Sequence, residues 1–174
     1  MSELSAERRK IIEALMNLLA EQPIEKIGLG EVAGAAGVSL TDLRGEFSSV
    51  LAIVAAYMKH IDRKVLAEDV SDMTDEPVRE RLFDILMKRL EAHASHKAAI
   101  RSLLRSSRYD PPLALALNSF AARSMSWMMT AAGISTAGPR GIVRAQGLTL
   151  LYARVVSTWA EDDDPGLART MSAL

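Results

Sequence analysis

Few residues in this chain stand at spacings that support covalent chemistry. Glu91, His93 and His96 put two imidazoles three residues apart on one helix, a permissible metal pair. No third ligand accompanies them, so they read as two partly exposed histidines. Ser124 and Ser126 lack a Gly-x-Ser-x-Gly elbow and an ordered Ser–Asp–His set, which excludes a hydrolytic triad. No glycine-rich phosphate loop or dinucleotide fingerprint occurs. The chain has no cysteine, so thiol nucleophiles, disulfides and thiolate metal sites are excluded, and a reducing compartment suits it. The acidic run Glu161-Asp162-Asp163-Asp164 lacks the spaced ligands and glycine of a calcium loop and reads as a solvated turn and helix cap. Neither catalysis nor a cofactor nor a metal is expected.

Recognition chemistry is better represented. Ser39, Thr41 and Arg44, with Lys26 nearby, are hydroxyl and cationic side chains close together in sequence, and Arg44 reads either as a reader of base edges or as a solvated surface base. Leu40 lies among them and reads either as a contact or as packing; Asp42 reads as a capping carboxylate. In the second half, Met87, Met125, Trp127, Met128, Met129, Tyr152 and Trp159 supply adaptable apolar surface for a greasy ligand. Arg123 or Arg154 would anchor its polar end. Taken singly, each of these apolar residues is equally well an ordinary core residue.

The elements that position them are helical. Ile11, Ile12, Leu15, Met16, Leu18 and Leu19 recur at helical spacing and predict a first helix ending near Gln22-Pro23. A short helix follows from Leu29 to Ala35. Ser39, with Asp42 three residues on, forms a capping box that opens another through Glu46. Ala33, Gly37 and Leu43 have the spacing of a helix-turn-helix: a small residue for close approach, a glycine for the left-handed turn, and a branched residue that locks the second helix on the first. Ser48 or Ser49 caps a longer helix over about 50–66. Residues 72–77 read as a linker whose proline suits a helix's first turn. Leu82, Ile85, Leu86, Arg89 and Leu90 continue the 3.6-residue period, and another helix is expected over 95–106. Asp110-Pro111-Pro112 starts a helix that Ala132-Gly133 stops, Gly138-Pro139 precedes one over 140–159, and Asp164-Pro165 opens a last one that ends, cut short, at Leu174.

The chain has 174 residues, 49% of them hydrophobic and 25% charged, as in a globular domain rather than a disordered one. Alanine, leucine and nine methionines dominate the apolar set, which favours an all-α fold. The first residues lack the basic start and apolar core of a secretion signal, and no stretch of 18 apolar residues occurs, so a cytoplasmic location without a membrane span is expected. Net charge is −1, but residues 1–50 hold five basic and eight acidic side chains, a balance of −3. The remainder carries +2.

Residues 8–66 resemble the N-terminal domain of the TetR family of bacterial transcriptional regulators. The likeness rests on Val32-Ala33-x-Ala35-Ala36-Gly37-Val38-Ser39, then Leu43, Phe47 and Ser49. It implies an all-helical TetR-like homodimer, in which a three-helix head at 1–47 binds an operator. A body at 48–174, led in by a linking helix at 48–70, takes a small ligand and dimerises. The family usually has threonine where Gly28 stands, lysine or arginine where Leu40 stands, and glycine followed by threonine or serine where Thr41-Asp42 stand. It has tyrosine at Arg44, histidine at Glu46 and lysine at Val50. Several of these are phosphate donors, and Glu46 would aim a like charge at the DNA backbone. The resemblance leaves Ser39, Thr41 and Arg44, with Lys26 nearby and Leu40 between them, as the DNA-contacting positions and phosphate donors retained, and a head so altered implies weak, salt-sensitive DNA binding.

The segment Arg81-Leu82-Phe83-Asp84-Ile85-Leu86-Met87 is similar to a second family, the lipid-binding accessory protein of ubiquinone biosynthesis. So is the ending Thr158-Trp159-x-x-Asp162-x-Asp164-Pro165-x-Leu167-x-x-Thr170-Met171-x-x-Leu174. That likeness implies the same fold and a homodimer binding isoprenoid or other lipid without DNA. Gly141, Ala145 and Gly147 on the 140–159 helix, together with the last helix, are the expected four-helix dimer seam. The leading expectation is a ligand-responsive DNA-binding regulator, and the lipid-binding accessory protein is the alternative.

Overall fold

The computed structural model describes residues 5–67, 76–162 and 168–173, and these contain helices and turns but no strand. The α-helices are α1 (Ala6–Glu21), α2 (Leu29–Ala36), α3 (Leu40–Glu46), α4 (Val50–Ala67), α5 (Val78–His93), α6 (Lys97–Ser107), α7 (Pro111–Ala131), α8 (Gly138–Ala160) and α9 (Ala168–Ala173). Single 3₁₀ turns occupy Ile24–Lys26 and Ala94–His96. The expected all-α class is the observed one.

Two compact units divide the chain. The first holds the described residues up to Tyr57 together with His96–Leu113; the second holds Met58–Ser95 and the chain from Ala114 onward. Helix α4 supplies residues to both. In the first unit α1 buries Ile11, Ile12, Leu15, Met16 and Leu19 on one stripe, against α2 and against Ala99, Ile100 and Leu103 of α6. In the second, the core is Ile61 and Val65 of α4, Ile85, Leu86 and Leu90 of α5, Met125, Met128 and Met129 of α7, and Tyr152, Val155 and Trp159 of α8.

Local signals in the chain explain most boundaries. The Ser5 hydroxyl accepts from the Arg8 N–H to start α1, and Asp110 accepts from the Leu113 N–H to start α7. Helix α2 ends on Gly37 at φ +65, where the Gly37 N–H donates to the Gly34 carbonyl and the Val38 N–H to the Ala33 carbonyl. A side chain would be strained in that left-handed turn, so glycine belongs there. The same pair of bonds ends α7 at Gly133.

Three details differ from the sequence expectation. Pro77, with ψ 140, stays extended just before α5 instead of joining its first turn. The helix expected from residue 95 begins at Lys97, because His96 at φ −117, ψ 25 leaves the helical region and separates α6 from the 3₁₀ turn. Asp162 is buried rather than solvated: its Oδ2 accepts from the Thr170 N–H at 3.0 Å and the Thr170 hydroxyl at 2.7 Å, pinning α9 to the end of α8. Residues 72–75 of the expected linker and the Asp164-Pro165 helix start lie outside the described residues.

Gly141 is the most closely packed of the described glycines, since a Cβ there would collide with the Thr136 carbonyl of the incoming loop. The obstacle is backbone and cannot swing away. Gly141→Ala is expected to cost about 1–3 kcal/mol by overpacking, read from urea denaturation. Gly34→Ala on α2, with open space at its Cβ, is the control.

Candidate nucleic-acid interface and a buried polar cluster

Helix α3 is short, and its seven residues bury only Leu43, at 1% exposure. Both halves of the capping box form: the Ser39 hydroxyl accepts from the Asp42 N–H at 3.1 Å, and the Asp42 carboxylate accepts from the Ser39 N–H at 3.3 Å. Ser39, Leu40, Thr41, Asp42 and Arg44 are all exposed, Leu40 at 59%. Leu43 and the following Phe47 point the other way and are buried. The helix is therefore fixed along one edge and presents donors along the other. Lys26, closing the 3₁₀ turn, is exposed as well.

Glu46, expected as a like charge toward DNA, is paired with a cation. Its carboxylate takes the Arg8 guanidinium at 2.9 Å, and Arg8 also donates to the Glu46 carbonyl at 3.4 Å and lies 4.4 Å over the Phe47 ring. Arg8 thus covers the C-terminal end of α3, where a cation suits the helix dipole, and ties that end to α1. Other head acids are similarly engaged within the first unit. Glu25 accepts from the Ser106 hydroxyl, Glu31 from the Gln22 amide, and Glu13 pairs with His96 at 3.0 Å. Four of the eight acidic side chains of residues 1–50, Glu13, Glu25, Glu31 and Glu46, are thus engaged by neighbouring side chains of the first unit.

The residues expected to line a ligand site scatter. Met128, Tyr152 and Trp159 are in the interior of the second unit, and Met87 is half-buried. Trp127 is 57% exposed, and Arg123 and Arg154 are exposed too. The buried arginine is Arg89, at 1% exposure. Its Nε donates to Asp62 Oδ1 at 3.2 Å, its Nη2 lies 4.0 Å from the Met58 sulfur, and its Cζ sits 5.2 Å from the Tyr152 ring centroid. Asp62 Oδ2 accepts from the Ser124 hydroxyl at 2.6 Å. One polar cluster thereby joins α4, α5, α7 and α8.

The electrostatics follow from that geometry. Burial pulls the Arg89 pKa down, but the adjoining Tyr152 oxygen and Asp62 carboxylate outweigh it, and the net shift is upward. Arg89 remains a cation. Burial pushes the Tyr152 phenol above its usual 10.0, with Arg89 pulling back only part of the way. The folded protein therefore keeps this proton to higher pH than the unfolded chain does. Its contribution to stability is intact below about pH 10 and declines as pH rises past it, by at most about 1.4 kcal/mol per pH unit. Tyr152→Phe should flatten that alkaline decline, measured as urea stability between pH 8 and 11.

The histidine pair does not share a site. His96 is committed to Glu13 and sets its ring edge-on to Tyr57 at 5.4 Å, while His93 is buried in the second unit and Glu91 is exposed. Among the described residues no group of three or more metal-ligating side chains converges, and no helix is long and apolar enough to cross a membrane.

No family model and no curated protein sequence matches the chain. Solved structures do, among them several TetR-family transcriptional regulators. The TetR transcriptional regulator from Nitrosomonas europaea superposes with a TM-score of 0.73 at 22% identity, covering 95% of this chain and 91% of its own. A TetR regulator from Rhodococcus sp. RHA1 gives 0.62 at 20% identity, covering 98% and 95%. The TetR family repressor AlkX from Dietzia, implicated in biodegradation of n-alkanes, gives 0.54 at 16% identity, covering 99% and 94%. At these identities the likeness establishes the fold, which is the TetR-like one the sequence implied.

Proposed function

We propose that this chain is a DNA-binding transcriptional regulator that acts as a homodimer and responds to a small apolar ligand. The observation that carries the reading is the presentation of α3: Ser39, Thr41 and Arg44 stand outward while Leu43 and Phe47 seat the helix. A helix so held, with a first helix to brace it, suits the major groove. The head at 1–47 would supply this surface and the body at 48–174 the dimer and ligand sites. On α8, Val143 (71% exposed), Leu150 (63%) and Leu151 (45%) flank Gly147 on one face, an apolar strip suited to the same strip of a second copy. A ligand in the body would shift the population of head spacings, of which one fits successive major grooves. The similarity to a repressor implicated in n-alkane biodegradation agrees with an apolar ligand.

The test is binding to operators selected from a random DNA pool. With Lys26 and Arg44 as cations in each of two heads, about four phosphates are neutralised, and affinity should fall roughly 100-fold between 50 and 200 mM salt. Arg44→Ala should weaken binding by about tenfold or more. The −3 balance of residues 1–50 favours the alternative, a lipid-binding accessory protein of ubiquinone biosynthesis that leaves DNA alone. Co-purified isoprenoid, with no retained DNA at any salt, would select it.

A further inference from the structure

The first unit holds a cleft of about 470 Å³, a volume suited to a small molecule, that the DNA-binding reading leaves unused. One face of α6 lines it, with Arg101, Arg105 and Tyr109 at four-residue intervals. Helix α1 contributes Glu21, its last residue, and the 3₁₀ turn contributes Glu25. Two hydrogen bonds hold these parts together: the buried Ser106 hydroxyl donates to Glu25 Oε2 at 2.8 Å, and the Ser102 hydroxyl to the Gln22 carbonyl at 3.3 Å. The remaining polar groups are open. Glu21 and Arg105 are exposed and close no ion pair or hydrogen bond among the described side chains. Glu21 stands where the helix dipole is already negative, and the last turn of α1 has no basic residue to offset it. That end of the cleft calls for a cation. Tyr109 is 90% exposed although it borders the cleft, so a large ring is left uncovered. The charges of the lining cancel, Arg101 and Arg105 against Glu21 and Glu25.

We propose that this cleft binds a small zwitterion with an aromatic side chain, the chemistry of an aromatic amino acid. The ammonium takes the Glu21 carboxylate and the negative end of α1. The carboxylate takes the Arg105 guanidinium through two parallel hydrogen bonds, and the ring lies on Tyr109. Arg105 and Tyr109 are one helical turn apart, so the carboxylate and ring of one small molecule reach both. Charge selects against simpler ligands. An anion alone would meet Glu21 and Glu25, and an amine alone would meet Arg101 and Arg105, each a like-charged part of the lining. None of the lining residues belongs to α3, so the site stands whether or not α3 binds DNA. Its chemistry also differs from that of the apolar ligand proposed above.

The experiment is a calorimetric titration of the full chain with L-phenylalanine and three probes that each lack one feature. Phenethylamine lacks the carboxylate, 3-phenylpropanoate the ammonium, and L-alanine the ring. Wild type should bind phenylalanine about tenfold or more tightly than any of the three. Each variant should erase one preference. Arg105→Gln should bind phenylalanine no better than phenethylamine, Glu21→Gln no better than 3-phenylpropanoate, and Tyr109→Ser no better than alanine. All three side chains are exposed, so the variants should melt with wild type and their losses report recognition. No phenylalanine binding at millimolar concentration overturns the assignment, as does equal affinity for all four probes. A preference for phenylalanine that survives unchanged in both Arg105→Gln and Glu21→Gln overturns it too. Loss of DNA binding alone bears on the regulator reading and leaves this one standing: the two fail separately.

Discussion

Exchanging Asp62 for alanine is expected to lower stability by about 3–5 kcal/mol, measured as the urea midpoint at constant slope. The size follows from what the change leaves behind. Arg89 is 1% exposed and stays charged, so it would lose its counter-ion without gaining water. Ser124 would lose the acceptor it reaches at 2.6 Å. Replacing both charges together, as Asp62→Leu with Arg89→Met, should recover most of the loss, because an apolar pair of similar volume needs no solvation. A single-mutant loss that the double mutant does not repair would show that the cost is packing. A double mutant that is stable but no longer ligand-responsive would show that the pair is kept for function.

Leu43→Ala is the second large effect, about 2–5 kcal/mol for emptying a site that is 1% exposed. Leu43 is the only buried residue of α3, so the helix has little else on which to re-seat. DNA affinity should fall with it even where the variant is still folded, because a loosely held α3 no longer presents Ser39, Thr41 and Arg44 in register. Arg8→Ala should act through the same route more gently, since Arg8 holds the far end of α3 by its pair with the half-exposed Glu46. A pair that open to solvent contributes roughly 0–1 kcal/mol.

The head was readable because its signals are local. Ala33, Gly37 and Leu43 act within ten residues, and Ser39 and Asp42 within three, so their spacing alone states the turn and the cap. The same holds for Asp110 at the start of α7 and Gly133 at its end. The polar cluster was not readable, because its members lie on four helices. Arg89 did fall on the apolar register of Leu82, Ile85, Leu86 and Leu90, which is a signal in itself. A charge on a buried stripe demands a partner, yet nothing in the sequence says that Asp62, 27 residues earlier, supplies it. Asp162 misled for the opposite reason: its acidic neighbours suggest solvent, and its partner Thr170 lies eight residues on. Trp127 matches Met125, Met128 and Met129 in type, but the helical phase that buries those three turns Trp127 outward.

Because the chain has no cysteine, one introduced thiol reports on α3 alone. The decisive measurement is the alkylation rate of Thr41→Cys, with and without DNA selected from a random pool, beside Ser119→Cys as an exposed site on α7. If α3 lies in the groove, DNA should slow alkylation at position 41 by about tenfold or more and leave position 119 untouched. Equal rates at position 41 with bound and absent DNA would contradict the account.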